Sequence, residues 1–173
     1  MSRPALPDAE QLLATLTAQM RAHVSAETGL IGIVTGGAWL AERLHAALKP
    51  KVPYGALDIS FYRDDFERKG LKREVVPSEI PFDVDGRDLI LVDDVLHTGR
   101  TIRAAMNELF DYGRPASIRL AALVDRGGRE LPIAAQFVGA TFEVPAGQTV
   151  GLERGGDGRL RLVLKPHKRD RNG

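Results

Sequence analysis

Four consecutive apolar residues, Leu89-Ile90-Leu91-Val92, run straight into two adjacent carboxylates, Asp93 and Asp94, and then into Val95-Leu96-His97-Thr98-Gly99-Arg100-Thr101. An apolar run that does not alternate is the mark of a strand buried on both faces, and such strands belong to parallel sheets covered by helices. Two carboxylates cannot continue inside that core, so the strand must emerge where they stand. Behind them, Ile102, Met106, Leu109 and Phe110 recur at helical spacing, with Gly113 near the end of the helix. The unit is therefore a buried strand, an acidic end, a polar turn and a helix. In parallel α/β sheets, ligands bind in the crevice beyond the carboxyl ends of the strands, which is where these residues fall.

The rest of the chain repeats the alternation. Asp8, with Gln11 three residues on, predicts a capped helix carrying Leu12, Leu13, Leu16, Met20 and Val24 on one face. Leu30-Ile31-Gly32-Ile33-Val34 is a second buried run. Thr35-Gly36-Gly37 ends it, and a helix through Trp39, Leu40, Leu44, Ala47 and Leu48 follows until Pro50 stops it. A strand is expected over about residues 54–62. Residues 63–81 are densely charged without a clean period and predict a long exposed loop or hairpin arm. Further strands are expected at 118–124 and 137–144. Residues 159–165 alternate like a half-exposed strand at the sheet edge, after turn chemistry at Gly155-Gly156-Asp157-Gly158. Residues 165–173 read as a basic, frayed tail. The fold class is α/β, a mostly parallel central sheet flanked by helices, in one domain of 173 residues.

Composition narrows the chemistry. There is no cysteine, which excludes a disulfide scaffold, a thiolate zinc site and a cysteine nucleophile. His23, His45, His97 and His167 are scattered, so a histidine metal site is not expected. The net charge of +1 excludes global attraction to nucleic acid or anionic membrane as the main theme. No stretch is apolar for long enough to cross a bilayer and the start of the chain has no hydrophobic signal region, so no membrane partner and a cytoplasmic address are expected.

A turn of Thr98, Gly99 and Thr101 at a helix start offers free amides, hydroxyls and close backbone approach, which together make a phosphate cradle. Asp93 and Asp94 repel phosphate and need sugar hydroxyls or a hydrated divalent cation. Both carboxylates are expected to face solvent or ligand. One ligand with vicinal hydroxyls beside a phosphate, such as a ribose 5-phosphate, meets both demands. No Gly-x-x-x-x-Gly-Lys-[Ser/Thr] accompanies the acidic strand end, and no Gly-x-Gly-x-x-Gly occurs. His97, a lone histidine in a turn, reads as a phosphate or lid contact or as a merely exposed side chain.

This segment resembles the 5-phosphoribosyl 1-pyrophosphate (PRPP) motif of the type I phosphoribosyltransferases. Asp58-Ile59-Ser60-Phe61-Tyr62-Arg63-Asp64-Asp65, residues 107–115, and Leu123-Val124-Asp125-Arg126-Gly127-Gly128-Arg129-Glu130-Leu131-Pro132-Ile133 are similar to one branch of them. That branch is the bifunctional pyrimidine operon regulators and uracil phosphoribosyltransferases, matched over roughly residues 8–145. The resemblance implies a type I phosphoribosyltransferase fold with a small hood and a mobile loop over residues 63–73. It implies a catalytic set of Asp93, Asp94 and Arg63, with PRPP held by Asp93, Asp94, Val95, Leu96, His97, Thr98, Gly99, Arg100 and Thr101. Thr35, Gly36 and Gly37 correspond to the pyrophosphate loop, where Gly36 stands in place of the family's arginine. Arg126 falls on the base or pyrophosphate side. Arg114, Arg119 and Arg129 are implied RNA contacts, although Gly128 replaces a histidine of the family pattern. The implied cofactor is Mg²⁺, held through PRPP with no dedicated set of protein ligands. The implied partners are PRPP, uracil, UMP, a pyrimidine operon leader RNA and further copies of the chain, as a homodimer or higher homo-oligomer. A nucleotide-sensing regulator with weak or no catalysis, and a phosphoribosyltransferase for another base, are the alternatives.

Overall fold

Asp8 has extended backbone and its carboxylate accepts a hydrogen bond from the Glu10 amide, so α1 (Ala9–Met20) begins at the expected cap. Leu12, Leu13, Leu16 and Met20 form its buried stripe. The helix then tightens into a 3-10 turn (Arg21–His23) instead of continuing to Val24. β1 (Gly29–Ile33) is buried at every residue. α2 (Gly36–Leu48) ends on Lys49 in the left-handed region, φ 53°, directly before Pro50. β2 (Gly55–Leu57), β3 (Asp88–Leu96), α3 (Arg100–Tyr112), β4 (Ser117–Asp125) and β5 (Phe137–Thr141) follow. A hairpin of β6 (Gln148–Arg154) and β7 (Leu160–Pro166) ends the architecture. The structure is a computed structural model and describes residues 5–59 and 78–167.

The first five strands form one parallel sheet in the order β2-β1-β3-β4-β5. The chain leaves β1 toward one edge, returns on the other side as β3, and so reverses direction between those two strands. That reversal is the topological switch point, where a crevice opens beyond the strand ends. Alternate residues of β3 serve opposite faces. Ile90 and Val92 pack with α1, α2 and the hairpin residues Val150, Leu152, Leu160 and Leu162. Leu89 and Leu91 pack with Ile102, Ala105 and Leu109 of α3. Both faces are covered, which is why the run reads as uninterrupted apolar sequence.

Several expectations change. The strand predicted over 159–165 exists as β7, but it pairs antiparallel with β6 and not with the edge of the main sheet. β6 itself escapes the sequence reading, because only Val150 and Leu152 mark its inward face among polar neighbours. β5 stops at Thr141, and Phe142 and Val144 pack against the core from outside a strand. Of the 54–62 stretch, three residues form β2 and Ile59 is core. Glu79 bridges antiparallel to Ala56, so the end of the charged stretch returns to the sheet edge. The loop of residues 63–73 lies outside the described residues. The tail begins later than expected, since Lys165 and Pro166 belong to β7 and the His167 amide donates to the Gly147 carbonyl at 2.7 Å. Among the described residues, no helix is long and apolar enough to cross a membrane.

The hairpin is held to the body by charge as well as by its apolar face. Glu10 accepts the Leu160 amide at 2.9 Å and both guanidinium ends of Arg43, at 3.2 and 2.6 Å. Arg159 reaches Asp8 at 3.3 Å, and the Arg154 guanidinium lies 4.9 Å from the Trp39 ring centre. One carboxylate thus joins α1, α2 and β7. The Arg43 hydrogen bonds hold the Glu10 carboxyl below its ordinary pKa, against the opposing effect of burial. A depressed carboxylate adds stability above its unfolded pKa and loses it as pH falls through the folded value. Glu10→Gln is expected to lower unfolding free energy at pH 7 by about 1 kcal/mol, as the ion pair is half-exposed. Urea titrations should show the difference from wild type shrinking below pH ~4.5.

Candidate active site

β1 and β3 are neighbours with Gly32 in register with Val92, so the turns leaving them meet. The meeting is close because three positions carry no side chain. A Cβ on Gly32 would lie 2.3 Å from the Gly37 carbonyl oxygen, and one on Gly37 would lie 2.3 Å from that of Val92. The first turn of α2 is pressed against both strands. A Cβ on Gly36 would lie 2.5 Å from Asp94 Oδ2. Asp94 Oδ2 therefore occupies the space that a side chain at position 36 would need. The Val34–Thr35 peptide that enters this turn is cis.

The two aspartates have different surroundings. Asp94 is half-buried and its Oδ1 accepts the Val95 amide at 2.9 Å. Asp93 is only 5% exposed, where both carboxylates were expected to face solvent or ligand. Its register partner is Ala122, a fully buried residue of β4, and its Oδ1 accepts the Asp94 amide at 2.9 Å. Alternation along the strand turns the two side chains apart, and Asp94 takes the α2 side. Val95 and Leu96 also depart from the expected ligand set. Both still belong to β3, Leu96 is 1% exposed in the α3-side core, and Val95 packs against the other.

The turn after Leu96 has the form that the sequence suggests. Gly99 is left-handed at φ 93°, and a Cβ there would also meet Ile133 Cγ1 at 3.0 Å. Thr98 Oγ1 accepts the Arg100 amide at 3.2 Å, and no side chain caps the start of α3. The amides of Thr101 and its neighbours and the positive end of the helix dipole stand at the crevice. His97 lies over Gly128, where a Cβ would come within 2.8 Å of its ring. Partial burial lowers the His97 pKa, as do Arg126, Arg129 and His167, against the raising effect of Glu130. His167 was read only as part of the tail, and nothing in its local sequence announces that the hairpin returns it toward this turn.

The arginines are not brought together. β4 is nine residues long, about 25 Å at ~3.3 Å per residue. Arg114 precedes its amino end and Arg119 lies near that end, with its guanidinium 3.5 Å from His23 Nδ1. Arg126 and Arg129 follow its carboxyl end, beside the site. Arg129, read as an RNA contact, has Nε, Nη1 and Nη2 all donating to groups of this chain. Arg126 carries a buried Nε with no hydrogen-bond partner. Arg63 lies outside the described residues.

The three glycines differ in what a methyl group would strike. Gly37→Ala drives Cβ into main chain that cannot rotate away, and is expected to cost about 1–3 kcal/mol in urea unfolding. Gly36→Ala meets only a carboxylate that can turn aside, so a loss below about 1 kcal/mol is expected.

The phosphoribosyl transferase domain family matches residues 5–149. The chain is 53% identical over 152 residues to the bifunctional protein PyrR of Pseudomonas paraeruginosa, covering 85% of this chain and 89% of that one. It is 49% identical over 164 residues to the PyrR of Pseudomonas fluorescens, covering 92% and 96%. Among solved structures, a hypoxanthine-guanine phosphoribosyltransferase of Bacillus anthracis superposes with TM-score 0.62 at 19% identity, over 83% of this chain and 84% of that chain. The hypoxanthine phosphoribosyltransferase of Trypanosoma cruzi gives 0.63 at 20% identity, over 83% and 80%. At such identities the likeness is one of fold. Sharing about half its residues with PyrR proteins along most of their length, and the parallel-sheet fold with the wider group, the chain belongs to the PyrR family of type I phosphoribosyltransferases.

Proposed function

We propose that the chain transfers the phosphoribosyl group of PRPP to uracil, giving UMP and pyrophosphate. The observation that carries this reading is that Asp94 Oδ2 fills the space a side chain at Gly36 would take, which brings the acidic strand end beside the amide-rich turn of α2. Asp93 and Asp94 take the ribose hydroxyls. The uncapped start of α3, from Thr98 to Thr101, takes the 5-phosphate, and the Thr35-Gly36-Gly37 turn takes pyrophosphate through its amides. Uracil N1 forms a bond to the anomeric carbon, the bond from that carbon to pyrophosphate breaks with its electron pair on the leaving oxygen, and the N1 proton passes to solvent. Positive charge develops on the ring, so the carboxylates stabilise it electrostatically and no nucleophilic side chain is required. The unpartnered Nε of Arg126 supports a place for that residue on the base or pyrophosphate side.

Carboxylate oxygens suit Mg²⁺, and too few of them stand together to complete its shell without oxygens from PRPP and water. Held through PRPP and water oxygens, with the half-buried Asp94 carboxylate beside it, a bound Mg²⁺ would neutralise the leaving group. The regulatory half of the reading is UMP-dependent binding of a pyrimidine operon leader RNA. The separation of Arg114 and Arg119 from Arg129 gives it less support than catalysis, because phosphate contacts must lie along one face. A regulator with weak catalysis is the second reading, favoured by the lack of a guanidinium at Gly36.

Labelled uracil, hypoxanthine, guanine and orotate, each offered with PRPP and Mg²⁺, test the assignment. Product is expected from uracil alone. PRPP binding without UMP formation overturns catalysis, and turnover of a purine or orotate overturns the base assignment. Asp93→Asn with Asp94→Asn is expected to lower turnover by about 10²-fold or more. Since Asp93 is buried, circular dichroism of that variant must accompany the assay.

A further inference from the structure

Arg129 places each of its three guanidinium nitrogens on a different piece of the chain. Nε donates to the Ile133 carbonyl at 2.7 Å, Nη1 to the His97 carbonyl at 2.8 Å, and Nη2 to Asp125 Oδ2 at 2.6 Å. These acceptors are the far end of the 126–133 loop, the first residue of the turn toward α3, and the last residue of β4. The loop is then laced to the turn by main chain. The Arg126 amide donates to the Leu96 carbonyl at 3.0 Å, and the Glu130 and Leu131 amides both donate to that of Thr98, at 2.9 and 3.1 Å. Ile133 fills the space beside Gly99, and Arg100 pairs with Glu130 at 3.3 Å. The loop forms a backing plate for the turn.

We infer that Arg129 is a positioning residue, which sets the phosphate-cradling turn by fixing the His97 carbonyl to the end of β4 and to the loop behind it, without touching the ligand. The inference rests on the proposed use of that turn for the 5-phosphate. A planar guanidinium is needed because its fork meets acceptors in three directions at once, which the single head of a lysine cannot do. Asp125 is the fixed point of the clamp. Its other oxygen accepts the Gly127 amide at 2.9 Å, so the carboxylate is held at both ends and cannot follow the guanidinium if the turn shifts. A turn whose amides must match phosphate oxygens loses affinity when it is displaced by a fraction of an ångström.

Arg129→Met and Arg129→Lys test this in the full chain by two readouts. Hydrogen exchange of the amides at residues 98–101 reports the turn without any ligand, beside the thermal midpoint. Calorimetry with PRPP and with ribose 5-phosphate, together with KM and kcat, reports the site. Arg129→Met is expected to speed exchange at those amides, and to weaken binding of both ligands about 10-fold or more, with a larger effect on the KM for PRPP than on kcat. Arg129→Lys, which keeps a cation beside Asp125, is expected to fall between Met and wild type, and serves as the test if the Met variant does not fold. Unchanged exchange and unchanged affinity in the variants overturn the clamp while leaving the proposed reaction intact. Faster exchange in Arg129→Met, with a wild type that binds neither PRPP nor ribose 5-phosphate, overturns the proposed reaction while leaving the clamp. A loss of affinity no greater than the loss of global stability reduces Arg129 to a fold residue and also overturns the inference.

Discussion

The contact on which the site depends is the one between the first turn of α2 and the carboxyl ends of β1 and β3. Helices that cover a sheet are held off it by the side chains packed between them. Here Gly32 and Gly37 let main chain meet main chain, and Gly36 leaves room for the Asp94 carboxylate. The result is that amides of α2 and the carboxylate of Asp94 belong to the same crevice. Any side chain at position 37 would part them, because its neighbour is the Val92 carbonyl and not a movable group. The reversal of strand order between β1 and β3 provides the opening, and the glycines let the turns approach each other there.

Charge is arranged around that contact by sign. Two carboxylates, Asp93 and Asp94, stand near the carboxyl end of β3. Uncapped amides, with no acidic group in the first turn of α3, follow within a few residues. Partial burial lowers the His97 pKa, and a third, cationic layer with Arg126 and Arg129 lowers it further. Arg129 differs from the others because its charge is engaged by Asp125, whose carboxyl its hydrogen bond holds below the usual range. It contributes geometry, whereas Arg126 contributes an unsatisfied donor. The same short motif after β4 thus carries one residue facing inward for shape and one with a free edge near the site.

Two glycines leave volume for side chains of the strand-to-helix segment. Gly36 leaves room for Asp94, and Gly128 leaves room for the His97 ring. Each glycine stands opposite a side chain of the strand-to-helix segment that fills the vacated space. The hairpin is held to the body by Glu10 and by Arg154 on Trp39.

The α/β class, the buried strands and the acidic strand end feeding a helix were readable in the sequence, because each is written in residues next to one another. Apolar runs, caps and the Gly99 turn are local physics, and Asp8, Lys49 before Pro50 and Gly99 behave as local physics requires. What local pattern does not contain is distance across the fold. Whether Asp93 is open or buried depends on Ala122 in another strand. Leu96 looks like part of a ligand loop until its packing against α3 is seen, and β6 has too few apolar residues to show itself without its partner β7. Arg129 reads as a free surface cation, and only the tertiary structure supplies the three carbonyl and carboxylate groups that claim it. The sequence alone determined which chemical groups stand next to one another along the chain. The fold decided which of those groups share a crevice, since contact between turns from different strands depends on strand order and register, which no single segment encodes.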